Sequence, residues 1–268
     1  MPPSNRKSLY PESSVPYTIY IKPTKTDEPL ENNEKDLKLD PRPTFLKVGI
    51  LSQVKGSAYL EYGNTKLMAA ILPPREISKQ SKKNALGIIS CDLKYAPFAT
   101  IDRTQNLTKK EQFLSVALKK ALEPVICLHE FPNFQIDIMV YILQDDGCAL
   151  SSAINCCGAA LAEGGIPIYD VITSSTICNI GHHIFINPTA AEEELVQMRV
   201  ENGETTLEHG ICVIASLAAV NQVAECFQKG YMTYQTIEKI TNYAQEINQR
   251  LLSTVKHVLV HKVKNHLK

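Results

Sequence analysis

Three groups of residues in this 268-residue chain are of types that do chemistry. The first is a run of carboxylates, Glu192-Glu193-Glu194, just after Asn187-Pro188-Thr189. Acids in a first helical turn are stabilised by the partial positive charge of the helix N-terminus, so the plain reading is a solvated turn behind Thr189. The second is a set of cations beside polar loops: Arg75, Lys79, Lys82, Lys83, Arg103, Lys109 and Lys110. Such side chains can hold phosphate groups, and they also occur on any charged surface. Asp102 weakens the field of Arg103, and no aromatic residues interleave with these cations as base stacking would require. The third group is eight cysteines and the pair His182-His183. No two cysteines form a CxxC pair, and most lie in apolar runs such as Ile154-Asn155-Cys156-Cys157-Gly158-Ala159. They read as small buried hydrophobes in a reducing compartment, not as disulfides or zinc ligands. His182-His183 follows Gly181 and has no ligand-spaced Cys or carboxylate, so it reads as a hairpin turn. Neither a metal site nor a cofactor is expected.

The elements that must position these groups follow from the apolar pattern. Residues 1–40 are polar, charged and proline-rich, which predicts a flexible or extended tail ahead of a domain at 41–268. Phe45–Leu51, Ser57–Tyr62 and Thr65–Leu72 read as strands, with Gly63-Asn64 as a two-residue hairpin turn. Gly87–Tyr95 reads as a further strand of that meander. Thr108–Leu122 has helical spacing, with Thr108 and Glu111 as a capping box. Phe134–Leu143 is a buried strand, and Cys148–Ala162 a helix of small residues that stops at Gly164-Gly165. Strands at Tyr169–Cys178 and Ile184–Ile186, a short acidic helix at Thr189–Met198, a polar loop at Val200–His209, strands at Ile211–Leu217 and Val220–Phe227, and a long helix at Thr233–Val263 complete the order. Strand runs with helices gathered to one face predict an α+β fold.

Bulk composition removes some functions. Lys+Arg and Asp+Glu both number 28, so the formal net charge is zero. A free-standing nucleic-acid binder usually carries a basic excess, because phosphate neutralisation supplies most of its affinity. Any RNA contact is therefore expected to be local or shared with partner chains. Residues 1–16 lack the apolar segment of a signal peptide, and no apolar run reaches the ~18 residues of a membrane span. The expected location is nuclear, cytoplasmic or both, with no membrane partner.

Several ordered segments carry a resemblance. Asp40-Pro41-Arg42-Pro43 precedes the first strand. The string from Ser52 to Glu61 opens a hairpin that ends at Pro73-Pro74-Arg75-Glu76. Ala96-Pro97-Phe98-Ala99 precedes a helix closing on Ala121-Leu122-Glu123-Pro124. Gln144-Asp145-Asp146-Gly147 leads into the small-residue helix, followed by Gly164-Gly165-Ile166-Pro167-Ile168-Tyr169-Asp170, and Asn187-Pro188-Thr189 with Glu192-Glu193 comes next. From about residue 40 to 250 the chain resembles the RNase PH family. Its wording is nearest to ring subunits of the eukaryotic RNA exosome, with which it shares the Ser52–Glu61 and Val220-Asn221-Gln222-Val223 strings.

The resemblance implies the RNase PH fold (ribosomal protein S5 domain 2-like). Active members of that family are phosphorolytic exoribonucleases, in which inorganic phosphate attacks the last phosphodiester of an RNA. That chemistry needs cations to bring two anions together and carboxylates to place a metal or a proton. By the resemblance, the arginine that cradles phosphate at the head of the signature helix is replaced by Leu150, and the threonine before it by Ala149. Ser151 and the helix amides remain as donors. Asn187 stands at the first carboxylate place and Glu192-Glu193 at the second. The last aspartate falls on Arg199 counted forward from Glu193, or on His209 counted back from the strand at Ile211. Loss of one key electrostatic group costs about 10²–10³ in rate, so the expectation is a non-catalytic homologue. In the family the loop after Ala-Pro-Phe carries arginines facing a central channel, and here only Arg103 remains, with Arg75, Lys109 and Lys110 as the other candidate RNA contacts.

The implied role is a structural subunit of a six-membered ring of paired RNase PH-like chains. Such rings are capped by proteins with OB-like and KH-type domains and thread RNA to a separate hydrolytic nuclease. The implied processes are 3′-to-5′ RNA processing and degradation in the nucleus, nucleolus and cytoplasm: rRNA processing, mRNA decay and RNA surveillance. The alternative is an active phosphate-dependent 3′-to-5′ exoribonuclease.

Overall fold

Thr65–Ile71 alternates strictly between buried and half-buried residues, and that period of two places it at the centre of a sheet. The computed structural model describes residues 42–77, 86–99, 105–181, 183–201 and 208–266. The expected tail at 1–40, together with Lys79, Lys82, Lys83, Arg103 and His182, lies outside the described residues.

The first sheet contains β1 (Thr44–Val48), β2 (Gly56–Tyr62), β3 (Thr65–Ile71), β4 (Arg75–Glu76), β5 (Ile88–Tyr95) and β6 (Phe134–Gln144). β1, β2, β3 and β6 pair antiparallel in that order, and β4 continues along the β3 edge of β6. Gly63 takes a positive φ between Tyr62 and Thr65, which the tight β2–β3 turn requires at its first central residue. Gly87–Tyr95 was expected in the opening meander. It pairs instead parallel to β6, because helix α1 (Gln105–Leu122) crosses between the two strands.

Helix α1 starts three residues before Thr108, so the expected capping box at Thr108 and Glu111 does not form at its N-terminus. Glu111 does other work. Its Oε1 accepts the Tyr95 N–H at 2.8 Å, and Ser115 Oγ accepts the Leu93 N–H at 2.9 Å. Two side chains of the helix thus satisfy the open edge of β5, which would otherwise invite pairing with another chain.

Helix α2 (Ala149–Glu163) lies between this sheet and the second, packing on β2 and β3 on one side and on β7 (Ile172–Ile180) and β9 (His209–Leu217) on the other. Every residue from Ala149 to Leu161 is buried. The small side chains allow both sheets to come close. Gly158 marks the limit: a Cβ there would sit 2.6 Å from the Ile172 carbonyl oxygen. Gly158→Ala is expected to cost about 3 kcal/mol, the upper part of the overpacking range. A urea unfolding curve unchanged from the parent would contradict this packing.

The second sheet is antiparallel throughout, in the order β10 (Gln222–Tyr231), β9, β7, β8 (His183–Ile186). Val213 and Ala215 of β9 join the core around α2. Cys212 and Ile214, on the other face, pack with Ile240, Ala244 and Ile247 of α4 (Tyr234–His266). Helix α3 (Ala190–Glu201) packs on β7 and β9. Gly181 has a positive φ and His183 opens β8, in keeping with the expected turn. Six cysteines are buried as expected and Cys91 is partly so, but Cys226 is exposed on the edge strand β10.

Candidate functional site

The segment between β6 and α2 brings three consecutive backbone N–H groups to the head of the most buried helix. Free amides at a helix N-terminus are a potential anion seat, because the helix dipole adds partial positive charge to the donors. In this chain the seat is filled from within. The Asp146 N–H donates to Thr65 Oγ1 at 3.1 Å, the Gly147 N–H to Asp145 Oδ1 at 3.1 Å, and the Cys148 N–H to Glu193 Oε1 at 2.7 Å. Gly147 and Cys148 both have positive φ. Thr65 Oγ1 in turn donates to the Gly147 carbonyl at 2.8 Å.

The nearby cations are engaged by Asp145 and Asp146. Lys110 Nζ lies 3.1 Å from Asp145 Oδ2 and over the Tyr95 ring, and the Tyr95 hydroxyl donates to the same carboxylate oxygen at 3.1 Å. Arg42 Nη1 donates to the Asp146 carbonyl at 3.0 Å and stands 3.8 Å from Asp146 Oδ2. Burial pushes the Glu193 carboxyl up from 4.5 to about 7, with Asp145 adding to the rise while the Cys148 amide, Lys110 and Arg42 oppose it. Desolvation also holds the Cys148 and Tyr95 protons firmly on, both pKa values being raised. An incoming phosphate would have to displace two tethered carboxylates from two amides; it would find Lys110 paired with Asp145 and Arg42 held through Nη1, while the buried Arg42 Nη2 has no hydrogen-bond partner among the described residues.

Leu150, in the first turn of α2, is 7% exposed and belongs to the main core. It lines a cavity of about 70 Å³ with Phe113, Ile154, Val213 and Phe227, and does not face the amide cluster's polar groups. Ser151, expected to remain as a donor, is buried and gives its hydroxyl hydrogen to the Cys148 carbonyl at 3.1 Å, while accepting from Thr176 Oγ1 at 2.8 Å. It is therefore spent inside the fold.

The acidic run divides into separate roles. The Thr189 N–H donates to Glu192 Oε2 at 2.7 Å and the Glu192 N–H reaches Thr189 Oγ1 at 3.4 Å, a capping box that starts α3. Glu194 is exposed. The solvated-turn reading holds for Glu194 and fails for Glu193, which points to the head of α2.

Other expected site residues are dispersed. Asn187 is buried in a left-handed conformation and its Oδ1 accepts the Thr176 N–H at 3.2 Å, so it shapes the exit of β8. Arg199 is half-buried in the last turn of α3. His209 is buried and pairs with Ile180, about 13 Å along β7 from Thr176 at ~3.3 Å per residue. Arg75 is ion-paired to Asp137, Nε to Oδ2 2.6 Å, and lies about 30 Å down β6 from the α2 head at ~3.3 Å per residue. Lys109 is exposed. Of the three candidate RNA contacts among the described residues, Arg75, Lys109 and Lys110, only Lys110 is placed at the α2 head. The motifs containing Arg42, Thr65 and Asp145 were visible, but no spacing rule shows that a hairpin threonine and an upstream arginine meet a helix cap. Among the described residues, no three His, Cys, Asp or Glu side chains converge as metal ligands.

Residues 40–167 match the model of the 3′ exoribonuclease family, domain 1 (RNase PH). The chain is 32% identical over 214 residues to mouse exosome complex component MTR3, covering 72% of this chain and 76% of that one. It is 30% identical over 246 residues to the human protein of that name, covering 86% and 84%. A shorter match, 38% over 152 residues, joins it to the Arabidopsis thaliana exosome complex component RRP41-like protein and spans 57% of this chain and 59% of that relative. In structure it resembles rice (Oryza sativa) Rrp46, with TM-score 0.69, 19% identity and coverage of 84% of this chain and 98% of that one. It also resembles a chain of the Archaeoglobus fulgidus exosome with RNA bound to the active site, with TM-score 0.67, 14% identity and coverage of 81% and 89%. The fold, the ordered motifs and these relatives together place the chain in the RNase PH family.

Proposed function

We propose that this chain is a non-catalytic ring subunit of an RNA exosome, contributing surface and not chemistry to 3′-to-5′ RNA processing and degradation. The observation that carries this reading is the occupied seat at the head of α2, where Glu193 takes the Cys148 amide and Leu150 is turned into the core. A phosphorolytic site needs that seat open and a cation beside it. Partners on this reading are other RNase PH-like ring chains, cap proteins with OB-like or KH-type domains, threaded RNA and a separate hydrolytic nuclease. The places are nucleus, nucleolus and cytoplasm; the processes are rRNA processing, mRNA decay and RNA surveillance.

The outer face of the first sheet supports an assembled state. Tyr59, Met68 and Tyr141 are registered neighbours across β2, β3 and β6, and Phe45, Met139 and Tyr141 are exposed on that face. An apolar patch of this kind on a soluble chain marks a surface that is covered in use. Lys47 and Lys94 flank the row.

The purified chain, given a 3′-tailed RNA with inorganic phosphate and a divalent cation, is expected to release no nucleoside diphosphate above the no-enzyme control. Phosphate-dependent release that disappears in Glu193→Ala would instead establish the active exoribonuclease.

A further inference from the structure

Cys212 and Cys226 lie on adjacent antiparallel strands, and their sulfurs are 3.8 Å apart. Cys212 pairs in register with Gln228 and Cys226 with Ile214, so the thiols meet across a diagonal of the sheet on one face. Their surroundings differ. Cys212 is 1% exposed, packed with Ile177, Ile214 and Ile240. Cys226 is exposed on β10, the edge strand of its sheet. An exposed thiol with a second sulfur at contact distance is the arrangement of a reactive cysteine with its resolving partner.

We propose that Cys212 and Cys226 form a peroxide-sensitive dithiol, a reversible modification site on the rim of the second sheet. The oxidant is a hydroperoxide, hydrogen peroxide being the simplest. The Cys226 thiolate attacks one peroxide oxygen, the O–O bond breaks, and hydroxide leaves, so that Cys226 becomes a sulfenic acid by a two-electron oxidation. The Cys212 sulfur then attacks the sulfenic sulfur. An S–S bond forms, the S–O bond breaks, and the Cys212 proton leaves with the departing hydroxide as water. A thiol reductant reverses the step.

Two features favour Cys226 as the attacking sulfur. It is open to solvent, and the hydrogen bond from Cys212 favours its thiolate, drawing its pKa down from 9.0 to about 7 against the opposing effects of burial and Glu225. Cys91, Cys148, Cys156, Cys157 and Cys178 are pushed upward, chiefly by burial, and Cys212 is pushed upward first by its hydrogen bond with Cys226 and then by burial, which keeps them protonated and slow. The closure, from 3.8 Å to the ~2.05 Å of a disulfide, calls for side-chain rotation and a small strand adjustment. Its product would tie β9 to β10 beside Phe227, whose ring packs edge-to-face on Phe113 of α1 at 5.1 Å between centroids. A transient, redox-sensing pair is the form in which disulfides occur in reducing compartments.

The test is differential alkylation of the full chain, reduced and then exposed to graded hydrogen peroxide, with peptide mapping. The expected result is loss of two of the eight thiols, a linked 212–226 peptide, and full recovery with dithiothreitol. In Cys212→Ser, Cys226 is expected to stop at a dimedone-reactive sulfenic acid; in Cys226→Ser, Cys212 is expected to stay reduced at the same dose. Circular dichroism confirms that each variant is folded. Cys226 remaining alkylatable while another cysteine oxidises first, or Cys226 sulfenic acid accumulating with Cys212 intact and unlinked, would overturn the proposal.

Discussion

Glu193→Gln is expected to stabilise the folded chain at pH 8 and to leave it little changed at pH 5. The Glu193 carboxyl is raised from 4.5 to about 7 in the fold, chiefly because burial disfavours its charge. Between those two values the folded state holds a proton that the unfolded chain has released. Stability attributable to this group is therefore fully present below about pH 4.5 and is lost as pH rises through about 7. The displacement corresponds to at most about 3 kcal/mol. Glutamine keeps an Oε1 acceptor for the Cys148 N–H, now 2.7 Å away, and removes the buried charge. At about 2–4 °C per kcal/mol for a domain of this size, the Tm at pH 8 should rise by up to roughly 6–12 °C, and the slope of Tm against pH between 5 and 8 should flatten. A parent Tm that climbs from pH 5 to pH 8 relative to the variant would mean that Glu193 is held as a favourable anion, opposite to this account. The chain thus tolerates an unfavourable carboxylate near neutral pH at the head of α2.

Leu150→Arg, which restores the residue type that the family resemblance implies at this place, should damage the fold without creating activity. Leu150 is packed against α1, β9 and β10, and Phe113, Ile154, Val213 and Phe227 surround it. The charged residues on that cavity's lining are Lys120, which repels a guanidinium, and Glu225 on the edge strand. Removing a buried leucine and introducing a poorly paired charge should cost about 3–5 kcal/mol. That predicts a Tm lower by roughly 6–20 °C at ~2–4 °C per kcal/mol. No phosphorolysis should appear, because the Asp145 and Glu193 carboxylates still occupy the Gly147 and Cys148 amides. An unchanged Tm together with phosphate-dependent product release would show that a single residue separates this chain from an active enzyme.

The longer strands of the first sheet and the buried small-residue helix were legible because their chemistry is local, whereas the two-residue β4 after Pro73-Pro74 was not. The mostly apolar run Thr65–Leu72 marks β3, Gly63-Asn64 marks its turn, and the run from Ala149 to Leu161 lacks any side chain too large to lie between two sheets. The parallel pairing of β5 was not legible, since it depends on a crossover helix and not on the strand's own residues. The same distinction applies at the site. Leu150 could be set against the family's arginine only through the motif resemblance, and its burial in the core could be read from its apolar type. Glu193 could not be separated from Glu192 and Glu194, because adjacent acids on a helix differ only in the direction each faces. Glu192 caps its own helix, and Glu193, one residue on, reaches a different one. Arg199 and His209 were reached by counting through an inserted loop, and counting does not fix where a helix ends or a strand begins. His209 proves to be the first residue of β9, deep in the sheet.

The central claim is that this chain works as part of a ring and not as a free enzyme. Native mass spectrometry of the tagged full chain, isolated from cells at low salt, tests it most directly. The account predicts a heteromeric assembly containing several different RNase PH-like chains, with this chain present once per ring, and no substantial monomer. A dominant monomer with no RNase PH-like partner would contradict it.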